Sequence, residues 1–294
     1  MISRILYYIV LKPLSLLPLG VLYYISDFLY LIIYKLFGYR KKVVKANLKS
    51  VFKDKSDAEI LSIEKAYYKH LCDIVVESVK VFSISAEELQ MRMKVHNPEI
   101  LEKYRLQNRT CMCVTAHYGN YEWAGISFPL HNKKYHAWGL YQKLNNSFFD
   151  KKMKVSRGKF GVNMVQSTQV NAYLAGLKEK VFMAGFIADQ KPINPKTAIW
   201  TLFLGRETGF SKGAELYARK FNSVMLYGEV VKIKRGFYTL EYKVICEDLS
   251  SEENFLPSKK FIKLLETQIT KQPEYWLWSH KRWKHARPEG CKMV

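Results

Sequence analysis

Residues 13–34 form an apolar run with one charged side chain, Asp27, and this run constrains the chain more than any other feature. About 20 apolar residues are enough to cross the hydrocarbon core of a bilayer. The run must therefore meet either lipid or an apolar face of the protein itself. Tyr23, Tyr24, Tyr30 and Tyr34 are suited to the lipid–water boundary. Pro13 and Pro18 favour a helix that starts inside the run, so both a spanning helix and a shorter one dipping into a single leaflet are open. The run is too long for the apolar part of a cleaved signal peptide, and no small-residue cleavage site follows it, so the sequence predicts a retained anchor over 1–38 and one domain over 39–294.

Charge orients the anchor. Lys35, Arg40, Lys41, Lys42, Lys45, Lys49, Lys53 and Lys55 follow the run, while only Arg4 and Lys12 precede it. Positive charge collects on the cytoplasmic side of a membrane, so the rest of the chain is expected on the cytoplasmic face. Lys plus Arg number 47 against 26 Asp plus Glu, a net charge of +21, which calls for a polyanionic partner. With 14% aromatic residues, an anionic lipid surface suits the composition better than nucleic acid, for which no groove-reading helix or RNA-binding aromatic motif is present. A non-catalytic, membrane-attached protein that binds a polyanion is the alternative of a different class.

The five cysteines show no C-x-x-C pair and no histidine at metal-ligand spacing, so neither a disulfide framework nor a metal site is expected. Cys111 and Cys113 are expected on one face of a strand as small buried hydrophobes.

Ser56-Asp57-Ala58-Glu59 reads as a capping box opening a long amphipathic helix, Ser85-Ala86-Glu87-Glu88 as a second one, and Asn97-Pro98 as the cap of a third helix. From residue 110 the pattern alternates. Strands are expected over 110–115, 135–140, 181–187, 199–204 and 223–233, and helices over 145–159, 169–180, 212–221 and 258–271. Arg235-Gly236 predicts a hairpin between 230–234 and 238–246. Such alternation predicts an α/β layered domain with a mostly parallel central sheet flanked by helices.

G-x-S-x-G, G-x-G-x-x-G and G-x-x-x-x-G-K-[ST] are all absent, which removes the local signals of serine hydrolases, dinucleotide enzymes and P-loop proteins. His117-Tyr118-Gly119-Asn120-Tyr121-Glu122 follows directly on the expected strand 110–115, at the carboxyl end where open α/β sheets place their sites. A histidine with an acid five positions later is common by chance in a chain with seven histidines and 26 acids, so its context carries the weight. If Gly119 turns the chain, Glu122 in the first helical turn can accept from one imidazole nitrogen of His117 and leave the other as a base. A base with its orienting carboxylate and no serine suits acyl transfer to a hydroxyl brought by the substrate. Backbone amides near Gly119 are candidate oxyanion donors. His131, His136, His280 and His285 read as surface or aromatic-cluster residues.

Several ordered blocks resemble the bacterial lipid A acyltransferases, the lauroyl and myristoyl transferases within the lysophospholipid acyltransferase superfamily. They are Tyr39 to Leu48, Ala116-His117-Tyr118-Gly119-Asn120-Tyr121-Glu122-Trp123, Arg157-Gly158-Lys159-Phe160-Gly161, Ala188-Asp189-Gln190, Phe203-Leu204-Gly205 and the Trp-rich ending from Pro273 to Lys284. The resemblance implies a glycerolipid-acyltransferase-like domain in the bacterial inner membrane. It makes His117 the general base and Glu122 its orienting carboxylate in an H-x-x-x-x-E motif. Arg157 and Lys159 would bind a phosphate or oxyanion, and Asp189 and Gln190 would lie behind the base or at the acceptor. It also implies an acyl thioester of acyl carrier protein or coenzyme A as donor, an anionic membrane lipid, foremost a lipid A precursor, as acceptor, and no metal or other cofactor. Glu122 stands where the commoner pattern has Asp, and the stretch Lys191-Pro192-Ile193-Asn194-Pro195-Lys196 is unusual. Other lysolipids, aminolipids and glycolipids are the alternatives within the class. The Trp-rich ending is expected to serve packing.

Overall fold

A computed structural model describes residues 2–177 and 181–294. Seven strands form one sheet: β1 (Met93–Val95), β2 (Cys111–Thr115), β3 (His136–Tyr141), β4 (Asn163–Gln166), β5 (Phe182–Ile187), β8 (Val224–Lys234) and β9 (Phe237–Cys246), in the order β1-β9-β8-β2-β5-β3-β4. Every neighbouring pair is parallel except β8 and β9, the antiparallel hairpin that turns at Arg235-Gly236. The α/β class and the mostly parallel sheet are as the alternating pattern implied. The strand expected over 199–204 is not part of this sheet. It forms a separate antiparallel hairpin, β6 (Ile199–Phe203) with β7 (Arg206–Phe210), turning through Leu204 and Gly205. β1, β4 and β7 went unread because each is only three to five residues long, too short for period-2 alternation to stand out. Of the helix expected over 169–180, Val170–Ala175 is formed, and residues 178–180 lie outside the described residues.

Alternation along β2 places the two halves of the core. Met112 and Val114 point into one layer with Phe261, Leu265 and Trp278. Cys111 and Cys113 point into the other with Trp123, Met183 and Leu226, and both thiols are free and buried. The Tyr121–His131 helix covers this second face.

The capping boxes behave as read in one case and partly in the next. Ser56 accepts from the Glu59 amide and Glu59 reaches back to the Ser56 amide, opening the Asp57–Lys80 helix, and a cap of this kind contributes about 1 kcal/mol. Ser85 caps Ala86–Arg92 through the Glu88 amide. Asn97 does not cap the Glu99–Leu106 helix. Its side chain pairs with the backbone of Tyr242 in both directions, at 2.8 and 2.9 Å, and continues the pairing of β1 along β9.

The apolar run forms the stretch Leu19–Leu36, long and apolar enough to cross a membrane. Its inner side is held against the Asp57–Lys80 helix by polar contacts. The Tyr23 hydroxyl donates to Glu77 at 2.8 Å, Ser26 donates to Asp73 at 2.8 Å, and Arg235 at the β8–β9 turn bridges Asp27 and Asp73 at 2.7 Å each. Val21, Tyr24, Phe28, Leu31, Leu36 and Phe37 face outward and are exposed.

Candidate active site

β2 ends at Thr115 and delivers Ala116 and His117 to the carboxyl edge of the sheet. The chain then turns through Gly119, whose φ of 57° lies in the left-handed region that glycine adopts without strain. A Cβ at Gly119 would sit 3.0 Å from Cγ1 of Val230, so that side chain would have to give by a few tenths of an ångström to admit one. Asn120 closes the turn: its side chain accepts from the Trp123 amide at 2.8 Å and opens the Tyr121–His131 helix. Its amide nitrogen donates to the buried carboxylate of Glu77 at 2.6 Å. Glu77 also accepts from Tyr23 and Tyr238, so this carboxylate ties the Leu19–Tyr30 helix, β9 and the turn after His117 together.

The parallel strand β5 lies beside β2, and the Ala188 amide continues the pairing by donating to the Thr115 carbonyl at 3.0 Å. Asp189 therefore arrives beside His117. Its Oδ1 is 2.7 Å from Nδ1 of the imidazole, and its Oδ2 accepts from the indole N–H of Trp276 at 2.8 Å. Asp189 is 2% exposed, and burial alone would push its carboxyl up. The charge of His117 and the hydrogen bonds from His117 and Trp276 outweigh that and hold it below the usual carboxylate range. An ionised Asp189 accepts from Nδ1–H, which leaves the basic lone pair on Nε2. That atom is 3.1 Å from the Gln190 amide nitrogen, and the Tyr121 ring packs edge-on against the imidazole with centroids 4.8 Å apart.

The carboxylate on His117 is thus Asp189, not Glu122. Glu122 faces the same cavity, but both of its oxygens are taken by the Arg157 guanidinium, one of them through Arg157 Nε at 2.9 Å. Sequence spacing favoured the near acid; the adjacency of β2 and β5 supplies the distant one. Lys159 is also elsewhere. Its ammonium donates to the carbonyls of Val81 and Ile84 at 2.7 and 2.6 Å, just beyond the Asp57–Lys80 helix, and burial and the nearby charges of Lys12 and Lys80 lower it to about 8. The Gly119 amide is unavailable to an oxyanion because it donates to the Tyr275 carbonyl at 3.0 Å. Trp276, read as packing, has a direct polar part in the site; the signals were the density of tryptophan in the tail and its place among the family-like blocks.

His117, Glu122, Arg157 and Gln190 border a cavity of about 750 Å³ between the sheet and the Tyr121–His131 helix. It runs past Gly125, Phe128, Gly139 and Met164 and reaches Cys113 and Tyr242 on the face of the sheet. Pro192, Ile193 and Asn194 stand at the same cavity, which gives the unusual stretch after Gln190 a place beside the site. A deep, mostly apolar space with an imidazole and a guanidinium at one end suits a hydrocarbon chain carrying a reactive carbonyl.

Residues 1–285 match the family described as bacterial lipid A biosynthesis acyltransferase. The chain belongs to that family. Among curated proteins it is 22% identical over 252 residues to the lipid A biosynthesis palmitoleoyltransferase of Escherichia coli (strain K12) and equally to the lipid A biosynthesis acyltransferase of Shigella flexneri. Each alignment spans 85% of this chain and 80% of the relative. This lipid A acyltransferase family member is an acyltransferase that uses an acyl donor and a lipid acceptor.

Proposed function

We propose that the protein moves a fatty acyl chain from a thioester of acyl carrier protein to a hydroxyl of a phosphorylated, hydroxyacylated lipid A precursor, with His117 as the base. The observation that carries this is the Nε2 of His117 at the edge of a 750 Å³ cavity, with its other nitrogen bound to a buried carboxylate. Nε2 takes the proton of the acceptor hydroxyl as its oxygen attacks the thioester carbonyl. The tetrahedral intermediate then collapses, the C–S bond breaks, and the imidazolium returns the proton to the departing sulfur. Asp189 keeps the imidazole in the tautomer this requires and stabilises its charged form. Glu122 acts through Arg157, holding the guanidinium at the cavity, where its remaining N–H groups meet the oxyanion or a phosphate. No step calls on a metal or redox cofactor.

The site works at the cytoplasmic face of the bacterial inner membrane. The anchor helix is tied along one side to Asp73, Glu77 and Arg235, while its other side is apolar and exposed. This supports a helix embedded in one leaflet alongside the domain rather than one that crosses and leaves it. The basic residues after it would meet anionic headgroups, and +21 also suits an acidic carrier protein.

The test offers purified protein thioesters of several chain lengths, on acyl carrier protein and on coenzyme A, together with the precursor, and identifies products by mass spectrometry. Acylated precursor from the native protein and none from a folded His117→Ala variant is expected. Undiminished product from that variant would overturn the assignment of the base.

A further inference from the structure

A second cavity, of about 660 Å³, lies on the other side of Gln190. Its apolar walls come from three parts of the chain: Ile33 and Phe37 of the anchor, Leu71 and Val75 of the Asp57–Lys80 helix, and Leu277 of the tail. Arg40 and His280 are among its polar members. Gln190 borders both cavities, and its amide is the group that contacts Nε2 of His117.

We propose that this second cavity takes an acyl chain of the acceptor lipid, with the lipid's phosphate against Arg40. The hydroxyl then reaches Nε2 of His117 from the side opposite the donor chain. The inference rests on His117 being the base, and goes further by naming where the acceptor sits. Transfer between two lipid-like substrates requires two apolar chains to approach one nitrogen, and the two cavities separated by one glutamine provide that arrangement. The cavity is walled partly by the apolar segment whose residues Leu31, Leu36 and Phe37 are exposed, Phe37 at 76%, and partly by the Asp57–Lys80 helix, where Val75 is 42% exposed. A chain can therefore slide in sideways from a leaflet without passing through water. Charge complements this occupant. Arg40 is pinned at the cavity by donation to the Ser279 carbonyl at 3.0 Å, which uses one of its five N–H donors. Lys41 and Lys42 follow it directly, and Lys45 comes three positions after Lys42. For the hydroxyl to bind, the Gln190 amide must swing off Nε2, so Gln190 divides the two chains at rest and admits the second substrate during reaction.

The test uses the full-length protein in mixed micelles, a hydroxyacylated phosphorylated disaccharide as acceptor, and Val75→Trp, a change at a partly exposed wall. The acceptor KM is expected to rise about tenfold while the donor KM shifts less than twofold. In parallel, an acceptor analogue with a diazirine in its acyl chain is irradiated with the native protein, and labelling is expected on Ile33, Leu71 or Val75. Equal rises in both KM values, or labels confined to residues such as Phe128 and Met164, would overturn the assignment of the second cavity. A native protein that transfers no acyl group would instead strike the proposed acyl transfer itself, a separate outcome that the kinetics read directly.

Discussion

Nδ1 of His117 and Oδ1 of Asp189 are 2.7 Å apart although 72 residues separate them in the chain. Because Asp189 fixes the tautomer, Asp189→Asn is expected to lower kcat by about 10²–10⁴-fold with little change in either KM. Steady-state kinetics with saturating donor check this. A normal kcat would remove Asp189 from the mechanism.

Glu122 and Arg157 are expected to behave as a unit. Arg157→Ala strands a carboxylate that is 14% exposed, whereas the double variant with Glu122→Gln removes both partners. A double-mutant cycle on kcat/KM should give a coupling of about 1–3 kcal/mol. Additive losses would mean that the two side chains act separately.

Glu77 makes stability depend on pH. Burial pushes its carboxyl up to about 7 from an ordinary value of 4.5, against the hydrogen bonds from Tyr23 and Tyr238, with Asp73 raising it further and Lys232 opposing. Between those values the folded state holds more protons than the unfolded one. Stability is therefore fully present below the unfolded value and is lost as pH rises to about 7, by on the order of 3 kcal/mol. Glu77→Gln removes the titration, so denaturant unfolding at pH 5 and pH 8 should show the variant gaining on the native protein as pH rises. A constant difference would count against a titrating Glu77.

Gly119→Ala is expected to cost about 1–2 kcal/mol from the left-handed torsion alone, with the Val230 contact in addition. Since the turn carries His117, activity should fall further than the loss of folded protein explains. Thermal melts and kcat on the same sample make the comparison.

Gly125 borders the cavity proposed for the donor chain, and a Cβ built there meets nothing within 4 Å. Gly125→Leu should point its side chain into that space and move donor preference to shorter chains, each excluded methylene costing about 0.8 kcal/mol of binding. Competition between thioesters of different length, read by mass spectrometry, would show an unchanged preference if the chain runs elsewhere.

The amino-acid order alone determined the apolar run, the capped helix from Ser56, the alternating α/β pattern, and His117 at the end of a strand. All of these are local, set by periodicity, caps and turn residues within a few positions. The resemblance of its ordered blocks to the family implied that Glu122, Arg157, Asp189 and Gln190 lie near the chemistry. Which acid holds the imidazole was decided by tertiary structure. Five positions across a turn do not bring Glu122 to Nδ1, while the parallel pairing of β2 with β5 carries Asp189 there. Lys159 went to carbonyls beyond a helix end, and Trp276 came to Asp189 because the tail folds back along the loop that carries His117. The apolar N-terminal run was legible as apolar, but its polar partners within the protein were not. Hydropathy records how a side chain regards water, whereas the contacts to Asp73 and Glu77 depend on which surfaces meet when distant segments pack.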